Sequence, residues 1–388
     1  MRFGAFVTFE DDVASLNEHF FFREFTYSQT TFRPKPGQEF ELADTLLLIG
    51  ESVVAYQLKE RDSPVTTSPA TESQWFERKV LRKATRQIRD TLAYLHEHDT
   101  IRLTNHRGHE VVLQTAKLRI IHKLVVYLAD EQLPQNCRQK KHHTSKTAGI
   151  IHLISANDYS GIVTTLLTPA ELMDYLHYRA ALVRRWPREV EEVPESVLVG
   201  HYLHGDLQEK PDLEHFGYVD ALKQETDKWD MSGIITVFAD RITSGGGTTD
   251  YYPILSAIAE LKRNELAEFK LRFNLSIEKA KANAFAWPYR MATPRTGCGF
   301  IFIPLTSEFI PQRRVVLENL TMLHKYDQKL PRCVGGSFAA DADGSYSVEW
   351  CFLEYPWESD PERDRLLSEK RLFRAVRVAK SDRYDFRQ

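Results

Sequence analysis

The stretch ELADTLLLIGESVVAYQLKER, residues 41–61, constrains the fold more than any other part of the sequence. Two runs rich in leucine, β-branched and aromatic residues flank the pair Gly50-Glu51. A Gly-x pair between two such runs is typical of a two-residue type II′ turn, because glycine supplies the positive φ at its first position. The stretch therefore predicts a β-hairpin in which Ile49 faces Ser52.

Three polar side chains converge at the open end of this apolar hairpin. The register places Asp44 opposite Gln57, and Gln57 and Lys59 share a face because side chains alternate along a strand. Placing lysine or aspartate beside a core is unfavourable unless the charge is paired or holds a ligand. The trio is therefore interpreted either as a half-exposed salt bridge at a fraying strand end or as a binding site.

The flanking segments supply charges of both signs. Upstream, FEDDVASLNEHFFFREF has apolar residues at helical spacing and carries Glu18 and Glu24, while Glu41 stands three residues before Asp44. Downstream, WFERKVLRKATRQIRDTLAYLHEH predicts a helix with one apolar stripe and one basic face. Such a face is ordinarily solvated, and beside carboxylates it also suits a phosphate backbone.

Together these residues resemble the PD-(D/E)xK nuclease superfamily, which has the restriction-endonuclease-like fold. The resemblance lies in the acidic helix, in ELAD opening one strand, in YQLK closing the next, and in a helix with Lys83 and Gln87 four residues apart. The QxK form is similar to the Mrr-type branch, with Gln57 in place of the usual acid. The resemblance implies an α/β domain over residues 1–135, a mixed sheet flanked by helices.

The resemblance also implies a role for each polar residue of the hairpin. Asp44 and Gln57 would hold a Mg²⁺ or Mn²⁺ ion through oxygen atoms, with Glu18 or Glu41 as a further ligand. Lys59 would orient or deprotonate the attacking water and stabilise the charge that develops on the phosphorus. Asp44, Gln57 and Lys59 are therefore the expected catalytic residues.

A second basic segment, LPQNCRQKKHHTSKTAG, spans residues 133–149 and is predicted to be a loop. Its cations suit contacts with a nucleic-acid backbone. His142 and His143 point in different directions on any regular element and make a poor metal site. The expected nucleic-acid-binding residues are Arg78, Arg82, Lys83, Arg86, Gln87, Lys140 and Lys141.

Residues 149–388 are expected to form an α+β region whose sequence indicates no particular chemistry. The glycine-rich SGGGTTD, residues 244–250, is a candidate boundary within it. A long helical pattern follows, with a break near Asn264, and then a core strand in GCGFIFIPL and a helix in RRVVLENLTMLHKYDQKL. A hairpin that turns at Asp343-Gly344 is predicted next.

Composition narrows the class of protein. With 42% hydrophobic and 27% charged residues the chain is globular rather than disordered. We expect a cytoplasmic protein, because no run of about 18 apolar residues predicts a membrane span and the N-terminus turns acidic too early for a secretory signal. The four cysteines form no C-x-x-C pair, which indicates buried thiols. A net charge of −3 leaves nucleic-acid binding to local basic patches.

These expectations combine into a metal-dependent nuclease that hydrolyses phosphodiester bonds of nucleic acid, with DNA favoured over RNA, while the sequence leaves open both that choice and whether the action is endonucleolytic or exonucleolytic. The resemblance further implies a possible homodimer and a role in defence against foreign DNA. Two alternatives stay open. A catalytically inactive protein of the same fold that binds nucleic acid is favoured by Gln57 and by the nearly neutral overall charge, and it would not need Mg²⁺ to bind. A regulatory subunit whose basic surfaces contact protein acids would show no salt-dependent DNA affinity.

Overall fold

The predicted hairpin lies in the middle of a six-stranded mixed sheet. A computed structural model describes residues 8–28, 31–35, 38–61, 68–238, 242, 247–370 and 372–374, with the backbone alone for residues 31–35 and 38–41. The chain divides into two units, residues 1–225 and residues 226–388. Each unit has its own sheet.

The strands of the first unit are β1 (Thr26–Ser28), β2 (Thr31–Lys35), β3 (Gln38–Glu41), β4 (Thr45–Ile49), β5 (Ser52–Lys59), β6 (Thr100–Thr104), β7 (Glu110–Gln114), β8 (Ile120–Tyr127), β9 (His142–Ser145) and β10 (Gly149–Ser155). The main sheet has the order β1-β4-β5-β8-β10-β9. Its first three strands are antiparallel neighbours, whereas β5, β8 and β10 run parallel. The pairs β2–β3 and β6–β7 form separate hairpins.

Helices cover both faces of the main sheet. They are α1 (Phe9–Phe21), α2 (Pro69–Trp75), a π-helical segment (Phe76–Lys83), α3 (Ala84–Glu97), α4 (Gln135–Arg138), α5 (Ala156–Leu166), α6 (Pro169–Arg185), α7 (Pro187–Glu192), α8 (Glu195–His204) and α9 (Phe216–Lys223). On one face, the hydroxyl of Tyr159 of α5 forms hydrogen bonds with Asn17 Oδ1 of α1 at 2.5 Å and with the hydroxyl of Tyr56 of β5 at 3.0 Å. On the other, Phe76 packs edge-on against Tyr127 of β8. The expected mixed sheet flanked by helices is thus confirmed.

The basic helix departs from a regular α-helix over Phe76–Lys83. The residues of the apolar stripe are buried as the sequence predicts, Val80 and Ile88 among them. The segment Phe76–Lys83, between α2 and α3, is π-helical, with hydrogen bonds between residues five apart. Arg82 accordingly pairs with Glu77, five residues earlier, at 3.0 Å. Periodicity at 3.6 residues per turn could not predict this local widening of the helix.

The first unit extends well beyond the expected boundary at residues 135–149. Residues 142–145 form β9, which pairs antiparallel with β10, and β10 pairs parallel with β8. The predicted loop is therefore a helix and an edge strand of the main sheet. Helices α5 to α9 follow β10 in the chain and belong to the same unit, which therefore ends at residue 225 and not at residue 135.

The second unit is a four-stranded mixed sheet between two long helices. Its strands are β11 (Tyr289–Thr293), β12 (Cys298–Pro304), β13 (Arg332–Ala340) and β14 (Tyr346–Glu354), in that spatial order. Its helices are α10 (Ser232–Ile235), α11 (Tyr252–Ala259), α12 (Arg263–Lys281), α13 (Arg313–Asp327) and α14 (Pro361–Lys370). The break between α11 and α12 and the hairpin turn at Gly344, with φ 82°, match the sequence pattern.

Alternation along β12 divides the core of the second unit between the two helices. Phe300 and Phe302 contact Phe269 of α12, with ring centroids 5.4 and 4.9 Å apart. Ile301 and Ile303 pack with Leu317 of α13 on the opposite face.

Cys298, Cys333 and Cys351 are buried in this sheet, and Cys137 is buried in the first unit, all four as free thiols. Among the described helices, none combines the length and the apolar character that crossing a bilayer requires.

The first unit should lose stability as the pH falls from about 6.5 to about 4. Burial lowers the pKa of His122 to about 4, and burial also holds the pKa of His152 well below its usual value. The unfolded chain therefore binds more protons than the folded chain in this window, and each histidine contributes up to about 1.4 kcal/mol per pH unit.

Urea unfolding between pH 7 and pH 4 measures this effect. A His122→Gln variant should show a shallower decline than the wild type, since it removes one of the titrating groups. Equal slopes for the two proteins would contradict the assignment.

Candidate active site at the end of the β4–β5 hairpin

The β4–β5 hairpin has the register that its sequence predicts. Ile49 pairs with Ser52, and Gly50 takes φ 55° at the turn, a conformation that costs glycine little. Asp44 lies one residue before β4 and so falls beside Gln57. Because β5 is paired with β4 on one side and with β8 on the other, this end of the hairpin is held inside the sheet.

Asp44, Gln57 and Lys59 meet at this end and are only 5, 2 and 7% exposed. The Lys59 ammonium donates to Asp44 Oδ2 at 3.1 Å, to Gln57 Oε1 at 3.0 Å and to the Leu58 carbonyl at 2.8 Å. These three oxygen atoms form a three-oxygen cradle around the ammonium. The Leu58 amide also donates to Asp44 Oδ2 at 2.5 Å and fixes the carboxylate. The pair of charges is therefore buried, not half-exposed at a fraying strand end.

The strand end that carries Lys59 is fixed from the other side as well. The Leu128 amide donates to the Lys59 carbonyl at 3.0 Å. Arg61, two residues further on, pairs through its guanidinium with both carboxylate oxygens of Glu72 and donates to the Leu128 carbonyl at 2.6 Å. Its guanidinium carbon also lies 4.0 Å from the centroid of the Trp75 ring. The backbone on both sides of the cradle is thereby held in place.

Glu18, an expected metal ligand, is engaged elsewhere. Its carboxylate pairs with Arg23 at 2.6 Å and with His106. Burial raises the pKa of Glu18, but the hydrogen bond from His106 and the charges of His106 and Arg23 outweigh it, so that the pKa is lowered overall. The structure thus joins Glu18 to two cationic partners and not to the three-oxygen cradle.

The other two candidate carboxylates have different outcomes. Glu24 is 1% exposed and pairs with Arg107 at 3.0 Å, an internal ion pair of the first unit. Glu41 is the last residue of β3. Its side chain lies outside the described part of the structure, so that its predicted role stays a prediction.

The basic helix contacts the segment of chain that precedes Asp44. Thr91 of α3 donates its hydroxyl to the Leu42 carbonyl, two residues before Asp44. One turn earlier, Gln87 is half-buried, and its Oε1 atom is buried without a hydrogen-bond partner among the described residues. The predicted cationic contacts on this helix are all exposed: Arg78, Arg82, Lys83 and Arg86.

Lys140 and Lys141, predicted together as nucleic-acid contacts, lie in different environments. Lys140 is half-buried. The pKa of His143 is lowered mainly by burial and further by the nearby charge of Lys140. Glu77, on the π-helical segment, opposes this shift. Lys141 is buried and pairs with Glu195 at 3.4 Å. Lys141 is therefore not on an exposed surface in this conformation, and its contact with nucleic acid stays a prediction.

Sequence patterns gave no sign of the buried ionic network to which Lys141 belongs. Arg179 donates to the two Glu195 oxygens at 2.7 and 3.0 Å and to His152 Nδ1 at 2.9 Å, and Tyr175 donates to Glu195 at 2.5 Å. Burial raises the pKa of Glu195, but the charges of Arg179 and Lys141 outweigh it and hold the pKa at about 2. The network fastens α6 and α8 to the edge of the sheet.

The chain was compared with known proteins at three levels, and no protein-family model, no curated protein and no solved structure matches it.

Replacing Asp44 with alanine should destabilise the first unit by about 3 kcal/mol, because it removes the carboxylate that pairs with the buried Lys59 ammonium. The double variant Asp44→Leu/Lys59→Met should be more stable than Asp44→Ala, since no unpaired charge is then buried. Urea unfolding measures both free energies.

The exposed pair of Arg102 and Glu110 offers a matched control. Glu110→Ala should cost well under about 1 kcal/mol, as exposed ion pairs contribute little. If Asp44→Ala costs no more than Glu110→Ala, the buried pair does not have the energetic weight assigned to it.

Proposed function

We propose that this protein is a metal-dependent nuclease that hydrolyses phosphodiester bonds of DNA, with its catalytic site at the open end of the β4–β5 hairpin. The proposal rests on one buried cluster, in which the Lys59 ammonium lies 3.1 Å from the Asp44 carboxylate and 3.0 Å from the Gln57 amide oxygen. A packing role alone does not require this trio, because hydrophobic residues of similar volume are often at least as stable as a buried ion pair.

The order of elements in the first unit supports a restriction-endonuclease-like fold. An acidic helix, α1, precedes β1 and the β4–β5 hairpin, and a helix with a basic face, α3, leads on toward β8. The hairpin lies between an antiparallel edge and a parallel continuation of the sheet. This is the order in which the sequence resembles the PD-(D/E)xK nucleases.

The donor atoms at the site fit a hard divalent cation. Mg²⁺ and Mn²⁺ prefer oxygen ligands, and the three-oxygen cradle already surrounds one cationic group, the Lys59 ammonium. Asp44, Gln57 and the Leu58 carbonyl are the atoms that would hold the metal, which when bound supplies Lewis-acid activation of a water molecule and of the phosphate. Gln57 brings no charge, so that the cradle carries one formal negative charge.

Lys59 has the chemistry for the remaining tasks at the site. An ammonium group beside the scissile phosphate donates hydrogen bonds to the oxygens on which charge develops in the transition state. It also orients a water molecule for in-line attack. Burial against β8 keeps the group in a region of low dielectric, where its charge acts more strongly than in water.

The basic helix surface is the proposed contact for the substrate backbone. Four exposed cations lie along this helix: Arg78, Arg82, Lys83 and Arg86. The following turn, through Thr91, contacts Leu42, two residues before Asp44. Lys140 lies near this surface, since both Lys140 and Glu77 act on His143. The Gln87 amide oxygen is buried and has no hydrogen-bond partner among the residues that the structure describes. These cations form a local basic surface on a chain whose overall net charge is −3.

Purified protein incubated with supercoiled plasmid and with single-stranded DNA should cleave when Mg²⁺ or Mn²⁺ is present and should not cleave in the presence of a chelator. Asp44→Asn and Lys59→Met should each lower the cleavage rate by at least about 100-fold, the cost of removing a main electrostatic contributor. Gel electrophoresis of the products measures the rate.

Asp99→Asn and Lys117→Met are matched controls, because both side chains are exposed and lie outside the site. They should cleave as the wild type does. Cleavage that survives in folded Asp44→Asn and Lys59→Met variants would reject the site. A wild type that binds DNA but never cleaves it would favour the inactive nuclease-fold protein, for which the neutral Gln57 is the supporting observation.

DNA affinity should depend on salt through the basic helix surface. Changing Arg78, Arg82, Lys83 and Arg86 to glutamine should reduce the slope of log K against log salt by about 0.9 for each residue that contacts a phosphate. Fluorescence anisotropy of a labelled duplex in the presence of a chelator measures this slope. Arg102→Gln is the matched control, since Arg102 and Arg82 are equally exposed, at 75%. An unchanged slope in the quadruple variant would place the substrate on another surface.

A further inference from the structure

We propose that the Lys59 ammonium and the divalent cation compete for the three-oxygen cradle, so that metal binding releases Lys59 toward the substrate. The inference rests on the proposed function and adds an order of events to it: the cation enters, the lysine leaves the cradle, and the lysine then serves the phosphate.

The competition follows first from space. The atoms that hold the Lys59 ammonium, at 2.8 to 3.1 Å, are the same oxygens of Asp44, Gln57 and Leu58 that would hold the metal. A Mg²⁺ ion requires ligand distances of about 2.0–2.1 Å. An ammonium group that contacts all three oxygens takes up the space in front of them, so that a metal ion bound to the same three atoms would displace it.

The competition follows also from charge. Asp44 supplies the one formal negative charge of the cradle, and the ammonium balances it in surroundings where both side chains are less than a tenth exposed. A divalent cation added beside a retained ammonium would bring two cationic groups into contact in a region of low dielectric, where their repulsion is strong.

The group that leaves is the lysine, because the oxygens are fixed and the lysine is not. Asp44 is held by the Leu58 amide, and Gln57 and Leu58 belong to the part of β5 that pairs with β8. Lys59 reaches the cradle through a flexible four-carbon stem, which lets its ammonium move without disturbing the strand. Phosphate oxygens of a bound nucleic acid can then replace the hydrogen bonds that the ammonium gives up.

A titration with Mn²⁺, followed by electron paramagnetic resonance of the free ion, tests the competition without any need for cleavage. Lys59→Met should bind Mn²⁺ at least about tenfold more tightly than the wild type, because it removes a like charge from the site. Asp44→Asn should abolish binding at this site. Lys141→Met is the matched control, since Lys141 and Lys59 are equally exposed, at 8%, and each pairs with a buried carboxylate. It should leave the Mn²⁺ affinity unchanged.

The wild-type protein provides a second measurement in case Lys59→Met does not fold. Amine labelling followed by mass spectrometry reports how accessible each lysine is. Mn²⁺ should raise the labelling rate of Lys59 several-fold and leave that of Lys141 unchanged.

The outcomes separate this inference from the proposed function. Tighter Mn²⁺ binding by Lys59→Met, or metal-induced labelling of Lys59, supports the competition. Binding that depends on Asp44, but is equal or weaker in Lys59→Met and leaves Lys59 labelling unchanged, overturns the competition and leaves the nuclease proposal standing. If no Mn²⁺ binding depends on Asp44, both are overturned.

Discussion

The buried pair of Asp44 and Lys59 is the constraint on which the first unit depends. Removing two charges from water is costly, and the cost is offset here only because the ammonium meets three oxygens and the carboxylate also accepts a backbone N–H. That geometry exists only in one register of the hairpin, since a slip of one residue would move Gln57 and Lys59 to the opposite face. The polar trio thus selects the register that the apolar residues also favour.

The elements around the trio serve the same end of the hairpin. The parallel neighbour β8 closes one side of β5, and Arg61 with Glu72 fixes the chain beyond Lys59. Helix α3 contacts the segment that precedes Asp44 and carries Arg86, and the π-helical segment before it carries the other three exposed cations. The proposed function would need such rigidity, because small displacements of reacting groups reduce rates strongly.

Local patterns predicted the local features well. The Gly50 turn fixed the hairpin register, and helical spacing located the apolar stripe with Val80 and Ile88. The patterns failed where distant residues decide the structure. Because β10 pairs in parallel with β8, the first unit ends at residue 225 and not at the expected residue 135. Lys141 is buried because it pairs with Glu195, which also binds Arg179. Neither pairing leaves a periodic signal, because the partners lie on separate elements.

The location of a bound metal tests the central claim most directly. Crystals grown with Mn²⁺ can be measured near the manganese absorption edge, where the ion gives an anomalous difference peak. We expect a peak within coordination distance of the Asp44 carboxylate and the Gln57 amide oxygen, with Lys59 withdrawn from both. A peak bound elsewhere, or a Lys59 ammonium that still occupies the cradle at saturating Mn²⁺, would contradict it.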